Sequence, residues 1–284
     1  MASDRLGFMQ GRLSPMVGGK IQAFPSAHWR DEYPAAQQLG LSLMEWTLDH
    51  DGLDDNPLMT PQGRDEIRAL GARHGVSVET LTGDLFMQAP FWKETGAARG
   101  TLLEEFDRVI DAAAGAGVRI FVVPLVDNGS VAADGEGPLV DAMLARAGAF
   151  ERRGVIISFE SDFPPARLAP FISRFPAAAF GVNYDTGNSA ALGFDCGDEI
   201  GAYADRIVNV HIKDRVRGGT TVPLGTGAAD LPRVLSLLRT AGYTGRYILQ
   251  TARAADGDHA AALGRYRDMT RAWLAARPVA EPRS

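Results

Sequence analysis

Four stretches in the second half of the chain decide the fold: GVIISFESD (154–162), AFGVNYDTGNS (179–189), RIVNVHIKD (206–214) and GRYILQTAR (245–253). Each is an apolar run of strand character, and each ends in a residue able to bind a cation: Glu160, Asp185, His211 and Gln250. The first three are ordinary ligands for a divalent metal. The fourth is an amide where the pattern leads one to expect a carboxylate.

Working outward from these runs, further strand candidates fall at 6–10, 42–46, 77–81 and 118–125, giving eight in all, each separated from the next by room for a helix. Four segments repeat one phrase, a helix closing on glycine before a strand begins: Gly40, Gly75, Gly117 and Gly154. Thr60-Pro61 and Asp230 read as helix N-caps, and Gly242 as a helix stop. Regular β–α alternation favours a parallel sheet with right-handed crossovers, and eight units favour its closure. We expect a single-domain (β/α)8 TIM barrel over residues 1–276, with the proline-containing tail 277–284 disordered.

Composition narrows the function. The 284-residue chain is 45% hydrophobic and 23% charged, with formal net charge −6 and pI near 5.4. This is an ordinary soluble composition with no electrostatic footprint for nucleic acid. A single cysteine, Cys196, cannot form an intramolecular disulfide, and no signal-peptide pattern or membrane-spanning apolar run is visible. The expectation is a cytoplasmic protein with no nucleic-acid or membrane partner.

The candidate chemistry sits at strand C-terminal ends, where barrel active sites form. Taken singly, an acid at a strand end more often caps a helix, and a strand histidine is more often a hydrogen-bonded core residue. Glu160, Asp185 and His211 on consecutive strands instead point to one divalent ion, Mn²⁺, Mg²⁺, Co²⁺ or Zn²⁺. Lys213 shares the face of His211 and is a candidate cation beside a developing enolate, with an ion pair to Asp214 or Glu160 as the alternative. The loops MQGRLSP (9–15) and KIQAFPSAHW (20–29) mix aromatics, amides and cations in a way suited to a polyhydroxy ligand. Expected substrate contacts are Gln10, Arg12, Trp29, Glu45, Asp84, Asn188 and Arg253. Gly225 and Gly227 are read as letting their loop pass close to substrate.

FESD at 159–162, YDTGN at 184–188, NVHIKD at 209–214, and PLGTGAAD at 223–230 followed by GYTGRYILQ at 242–250 carry a resemblance. The chain resembles the xylose isomerase-like TIM-barrel superfamily, in particular the sugar phosphate isomerase/epimerase group related to ketose 3-epimerases, hydroxypyruvate isomerase and inosose dehydratase. The resemblance covers Arg5 to Ala276. It implies one divalent metal, Mn²⁺ foremost, held by Glu160, Asp185, His211 and the residue at Gln250, and a small sugar substrate. It also implies proton transfer by two glutamates on either face of a carbon; barrels of this group often form dimers. Here Gln250 replaces the second glutamate, and Asn188 stands where members often carry histidine. An amide oxygen ligates but cannot act as a base. The expectation is therefore a metal-dependent isomerase or epimerase with Glu160 as base. A keto-sugar lyase or a non-catalytic binding subunit are the alternatives. The endonuclease IV branch of the fold would need several strand-end histidines that this sequence lacks.

Overall fold

The computed structural model describes residues 5–132 and 135–276; the expected disordered tail at 277–284 lies outside them. Eight strands, β1 (Leu6–Met9), β2 (Leu43–Leu48), β3 (Ser77–Gly83), β4 (Ile120–Leu125), β5 (Ile156–Ser161), β6 (Phe180–Asp185), β7 (Ile207–Ile212) and β8 (Arg246–Leu249), pair in parallel in chain order. The sheet closes through β1 and β8, with Phe8 opposite Leu249. Among the described residues, eleven α-helices pack outside it. They are α1 (Glu32–Gln38), α2 (Pro61–His74), α3 (Asp84–Gln88), α4 (Gly96–Ala116), α5 (Glu136–Leu144) and α6 (Ala147–Arg153) in the first half. The second half has α7 (Pro165–Ser173), α8 (Thr186–Leu192), α9 (Cys196–Tyr203), α10 (Leu231–Thr240) and α11 (His259–Ala275).

Local chemistry sets the helix ends. Thr60 accepts from the Gly63 amide at 3.0 Å, with Pro61 in the first helical position of α2, and the Asp230 carboxylate accepts from Arg233 N at the start of α10. Gly75 takes φ +67° after α2, and Gly40, Gly117 and Gly154 repeat that left-handed turn, so the expected helix-to-strand phrase recurs at all four places. Two strands run further than the sequence suggests. β2 and β3 continue through the pairs Thr47↔Thr82 and Leu48↔Gly83, because a polar threonine on the inner face still serves the ladder. Glu45 therefore lies inside the barrel and not at its rim.

The strands present different surfaces to their two sides, as the two-residue period requires. Outward residues such as Phe8, Trp46, Phe121, Phe159, Phe180, Val210 and Leu249 join the helices in one continuous core. An aromatic chain runs through it from Phe86 to Phe106 (4.8 Å between centroids), Phe150 (6.0 Å), Phe180 (5.7 Å) and Phe159 (5.9 Å). Each ring removed from water stabilises the fold by roughly 1.5–3 kcal/mol. The inner set is largely polar: Glu45, Thr82, Ser158, Asn183, Asn209 and His211 are all buried, and Met9, Leu43 and Ile248 form a small separate apolar cluster. β5 is thus not the fully apolar strand its sequence suggests, since Ser158 shares the inner face with Glu160.

Candidate active site

At the carboxyl ends of β5, β6 and β7, one ligand-type atom from each of Glu160, Asp185 and His211 lies within 4.8 Å of the others, and all three residues are buried. His211 Nδ1 stands 3.1 Å from Glu160 Oε2 and 3.9 Å from Asp185 Oδ2. Its other nitrogen, Nε2, is 2.7 Å from Glu45 Oε1. A carboxylate behind the imidazole fixes which nitrogen faces the site, an arrangement common to metal-ligating histidines. Burial alone would drive His211 toward its neutral form. The charges of Glu45 and Glu160 outweigh it and hold the imidazole above its ordinary range. In Glu45 desolvation is likewise overcome by His211, and the carboxyl lies below its usual value.

Glu45 is fully buried beneath the cluster. Thr82 Oγ1 donates to Oε1 at 2.5 Å and Asn209 Nδ2 to Oε2 at 2.9 Å. It is therefore a positioning residue for His211, a correction to its expected role as a substrate ligand. The same Asn209 amide reaches Asn183 Oδ1, and Asn183 Nδ2 donates to Glu160 Oε2 at 2.8 Å. Asn188 Nδ2 donates to the other oxygen, Glu160 Oε1, at 2.7 Å, while Arg215 holds Asn188 Oδ1 at 2.8 Å. A carboxylate accepting two amide hydrogens keeps a fixed orientation. Asn188, expected at the substrate, here orients Glu160.

Asp185 performs two tasks at once. Oδ1 caps α8 by accepting from Gly187 N and Asn188 N, and Oδ2 faces Lys213 Nζ at 3.2 Å. Lys213 thus pairs with Asp185 and not with Asp214 or Glu160. Asp214 is instead a buried loop anchor: it accepts from Gly225 N, Gly227 N and Ala229 N at 2.9–3.1 Å. A Cβ on Gly227 would meet Asp214 Oδ1 at 2.2 Å, so this glycine is required by the anchor, in place of the expected approach to substrate.

Gln250 follows β8 directly. Its Nε2 donates to Gln22 Oε1 at 2.9 Å, and its Oε1 is buried without a hydrogen-bond partner. Gln22 continues to Asp84, its Nε2 2.5 Å from Asp84 Oδ2. Burial pushes the Asp84 carboxyl up to about 7 against the pull of the Gln22 amide. An orphaned carbonyl oxygen at the strand end next to those bearing two carboxylates and an imidazole fits a divalent cation, which takes such a donor set.

The β1 loop is structural more than expected. Arg12 is tied to Thr251 O, Ile21 O and Gln22 Oε1, and Gln10 Oε1 accepts from Thr47 N. Trp29 is 2% exposed, edge-on to Trp46 and Tyr33, which places it in the core and corrects its expected stacking on a ligand. Sequence reasoning missed Glu32, whose carboxylate takes the Gly11 and Leu13 amides at 2.9 Å and shapes this loop. It also missed Asn183, Asn209 and Arg215. The two asparagines stand two residues before Asp185 and His211, and the strand period could have found them.

Burial raises the Glu32 carboxyl from 4.5 to about 7, against the opposing amides of Gly11 and Leu13. The folded state therefore holds this proton more tightly than the unfolded chain does. Its contribution to stability is complete below pH 4.5 and falls as pH rises toward 7, by roughly 3 kcal/mol. Glu32→Gln should remove that decline. Denaturant unfolding of both proteins from pH 4 to 8 checks it, and parallel curves would refute the assignment.

A closed (β/α)8 barrel with a potential metal centre at its carboxyl face defines the class. The chain belongs to the xylose isomerase-like TIM barrel family, whose model matches residues 33–273. It is 26% identical over 266 residues to L-ribulose-5-phosphate 3-epimerase UlaE of Escherichia coli O1:K1, covering 89% of this chain and 93% of the relative. In fold it is similar to D-psicose 3-epimerase of Clostridium cellulolyticum H10 solved with D-tagatose. The TM-score is 0.75 at 12% identity, over 95% of this chain and 99% of that one. It is also similar to the IOLI protein with a binding zinc atom, with TM-score 0.72 at 17% identity over 96% and 100% of the two chains. Among the described residues no helix is long and apolar enough to cross a membrane.

Proposed function

We propose that the protein is a divalent-metal-dependent isomerase or epimerase of a ketose or related α-hydroxy ketone, working through an enediolate. The observation that carries this reading is the convergence of Glu160, Asp185 and His211 within 4.8 Å, with the unpartnered Gln250 Oε1 at the next strand end. These four would hold the ion, and their oxygen-rich set makes Mn²⁺ the first expectation. When bound, the ion polarises the substrate carbonyl and so acidifies the neighbouring carbon. The sugar epimerase relatives support the substrate class.

The chain's own residues supply the rest. Asn183 and Asn188 fix the Glu160 carboxylate so that it can take the proton beside the carbonyl. Lys213 places its Nζ 3.2 Å from Asp185 Oδ2, a position from which it would meet negative charge developing on substrate oxygens. Asp84 and Gln22 present polar groups to the sugar hydroxyls. A lone half-buried thiol, Cys196, supports a reducing compartment such as the cytoplasm.

A second reading follows from Gln250. An amide moves no proton, so the β8 position cannot act as a second base there. One-base chemistry, including elimination of water from a 3-keto sugar, fits a site in which Glu160 alone abstracts.

Chelator-stripped protein should gain thermal stability with Mn²⁺, by about 2.7 kcal/mol at one hundred times its dissociation constant. Asp185→Asn should lose most of that gain. A melting temperature indifferent to Mn²⁺, Mg²⁺, Co²⁺ and Zn²⁺ would sink the metal centre. In deuterated water, label entering a ketose next to its carbonyl supports enolisation; loss of water without isomerisation favours the lyase.

A further inference from the structure

Gln250, the amide at the end of β8, is tied through one side chain to a carboxyl group whose proton the Glu160 chemistry does not use. Gln22 Oε1 accepts from Gln250 Nε2 at 2.9 Å, and Gln22 Nε2 donates to Asp84 Oδ2 at 2.5 Å. Asp84 is buried, yet among the described residues its other oxygen, Oδ1, has no hydrogen-bond partner. A Cβ on the preceding residue, Gly83, would meet Phe121 at 2.7 Å and Phe86 at 2.9 Å. Glycine there lets β3 pass straight into α3 with Asp84 at the junction.

The strand register sets Asp84 level with Glu160. Thr82, Val122 and Ser158 stand opposite one another across β3, β4 and β5, and Asp84 and Glu160 each follow two residues later. Thr82 turns inward to Glu45, so the two-residue period brings Asp84 to the same side at the mouth. Two strand spacings, about 10 Å along the sheet, separate the two backbone positions. The carbon chain of a sugar fits such a gap. Asp84 stands on the β3 flank of Glu160, whereas Asp185 and His211 stand on the β6 and β7 flank. Burial first, then the charges of Asp49 and Glu160, raise the Asp84 carboxyl to about 7, against the Gln22 amide and Lys213. A carboxyl group in that range can both give and take a proton near neutral pH.

We propose that Asp84 is the second proton-transfer residue of the site, delivering a proton to the carbon from which Glu160 removes one, on the opposite face. The inference rests on the ketose reading. Glu160 takes the proton beside the carbonyl, the C–H electron pair forms a C=C bond, and the carbonyl π pair moves to oxygen, giving the enediolate. As the carbonyl re-forms, the C=C pair takes the Asp84 proton and a new C–H bond closes with inverted configuration. Asp84 is then a carboxylate and Glu160 an acid; water returns a proton to the first and removes one from the second. Epimerisation can thus proceed with an amide at 250, because the second acid stands after β3 and not after β8.

The test follows deuterium from solvent into D-tagatose and L-ribulose 5-phosphate as probes, with protein supplied with Mn²⁺. In the parent protein, epimer formed in early turnovers should carry solvent deuterium at the inverted carbon, since the incoming proton comes from Asp84. Epimer that retains the substrate's own hydrogen would overturn the proposal, because a single base would have returned it. Asp84→Asn keeps the shape of the side chain and an oxygen to accept from Gln22, and circular dichroism verifies folding. It should lower epimer formation by about 10²-fold or more, while deuterium still enters the unreacted ketose through Glu160. Equal loss of epimer formation and exchange, or epimer formed at the parent rate, overturns the proposal. A measurement without substrate adds an independent arm: carbon NMR of metal-free protein labelled at its aspartate carboxyls. The resonance missing from Asp84→Asn should titrate near 7; titration near the ordinary 3.8 leaves no proton to deliver and refutes the role. If the parent protein neither labels nor epimerises either probe, the ketose reading fails and this proposal with it. If it epimerises them and Asp84→Asn does so equally well, the proposal alone falls.

Discussion

Glu160→Gln should reduce turnover by about 10²- to 10⁴-fold, the usual contribution of a positioned general base. The substitution keeps the shape of the side chain and an oxygen to accept from Asn188 or Asn183, so the site should stay assembled. What it removes is the cluster carboxylate that is held by side-chain amides and caps no helix. Asp185 is committed to the α8 amides and Lys213, and Gln250 is an amide. Steady-state rates on a ketose substrate, with circular dichroism to verify folding, decide the matter. Turnover near that of the parent protein would place the base elsewhere, and Asp84, the buried carboxyl directly after β3, would then be tested.

The second large effect concerns a residue that touches no substrate. Glu45→Ala should destabilise the barrel by about 3–5 kcal/mol, because it strips a buried imidazole of the nearer of its two carboxylate partners. It leaves the Asn209 amide and the Thr82 hydroxyl short of an acceptor as well. Urea unfolding monitored by tryptophan fluorescence provides the measurement, and a change under 1 kcal/mol would show that His211 is held by other means. Affinity for Mn²⁺ should also fall, by about 10- to 100-fold, as happens when the group behind a ligating histidine is lost. Glu45→Gln should recover much of the stability and less of the affinity, since it can accept from His211 but carries no charge.

Much of the barrel was legible in the residues. Apolar runs separated by helix-length segments, with glycine closing each of four helices, give the strand order, and each metal-type residue falls at the strand end read for it. What escaped notice lies on the inner face of the sheet. Ser158, Asn183 and Asn209 are small breaks in otherwise apolar runs, and the register of β5, β6 and β7 sets them on one inner face. Glu45 reads as a strand-end residue because the second run stops at Trp46, whereas Thr47 and Leu48 continue the ladder, Thr47 pairing with Thr82. The contacts of Asn209 with Glu45 and of Gln250 with Gln22 span 164 and 228 residues. No local pattern encodes partners so distant; three-dimensional closure alone makes them neighbours. Trp29 escaped for a different reason. An aromatic in a polar loop can as well fold inward as face a ligand, and Trp46 and Tyr33 decide in favour of the core.

The contact between Glu45 and His211 has a consequence for how the chain could be divided. Many eight-fold barrels look like two four-strand halves placed side by side. In this one the carboxylate belongs to the first half and the imidazole to the second; the imidazole also faces Glu160 and Asp185 of its own half, whereas the hydrogen-bond partners of Glu45 besides His211, Thr82 and Asn209, are uncharged. Chains severed after β4 would each have to shield half of a polar seam from solvent before meeting. Any ancestral or engineered first half-barrel built from these residues would first have to replace Glu45 by an uncharged side chain.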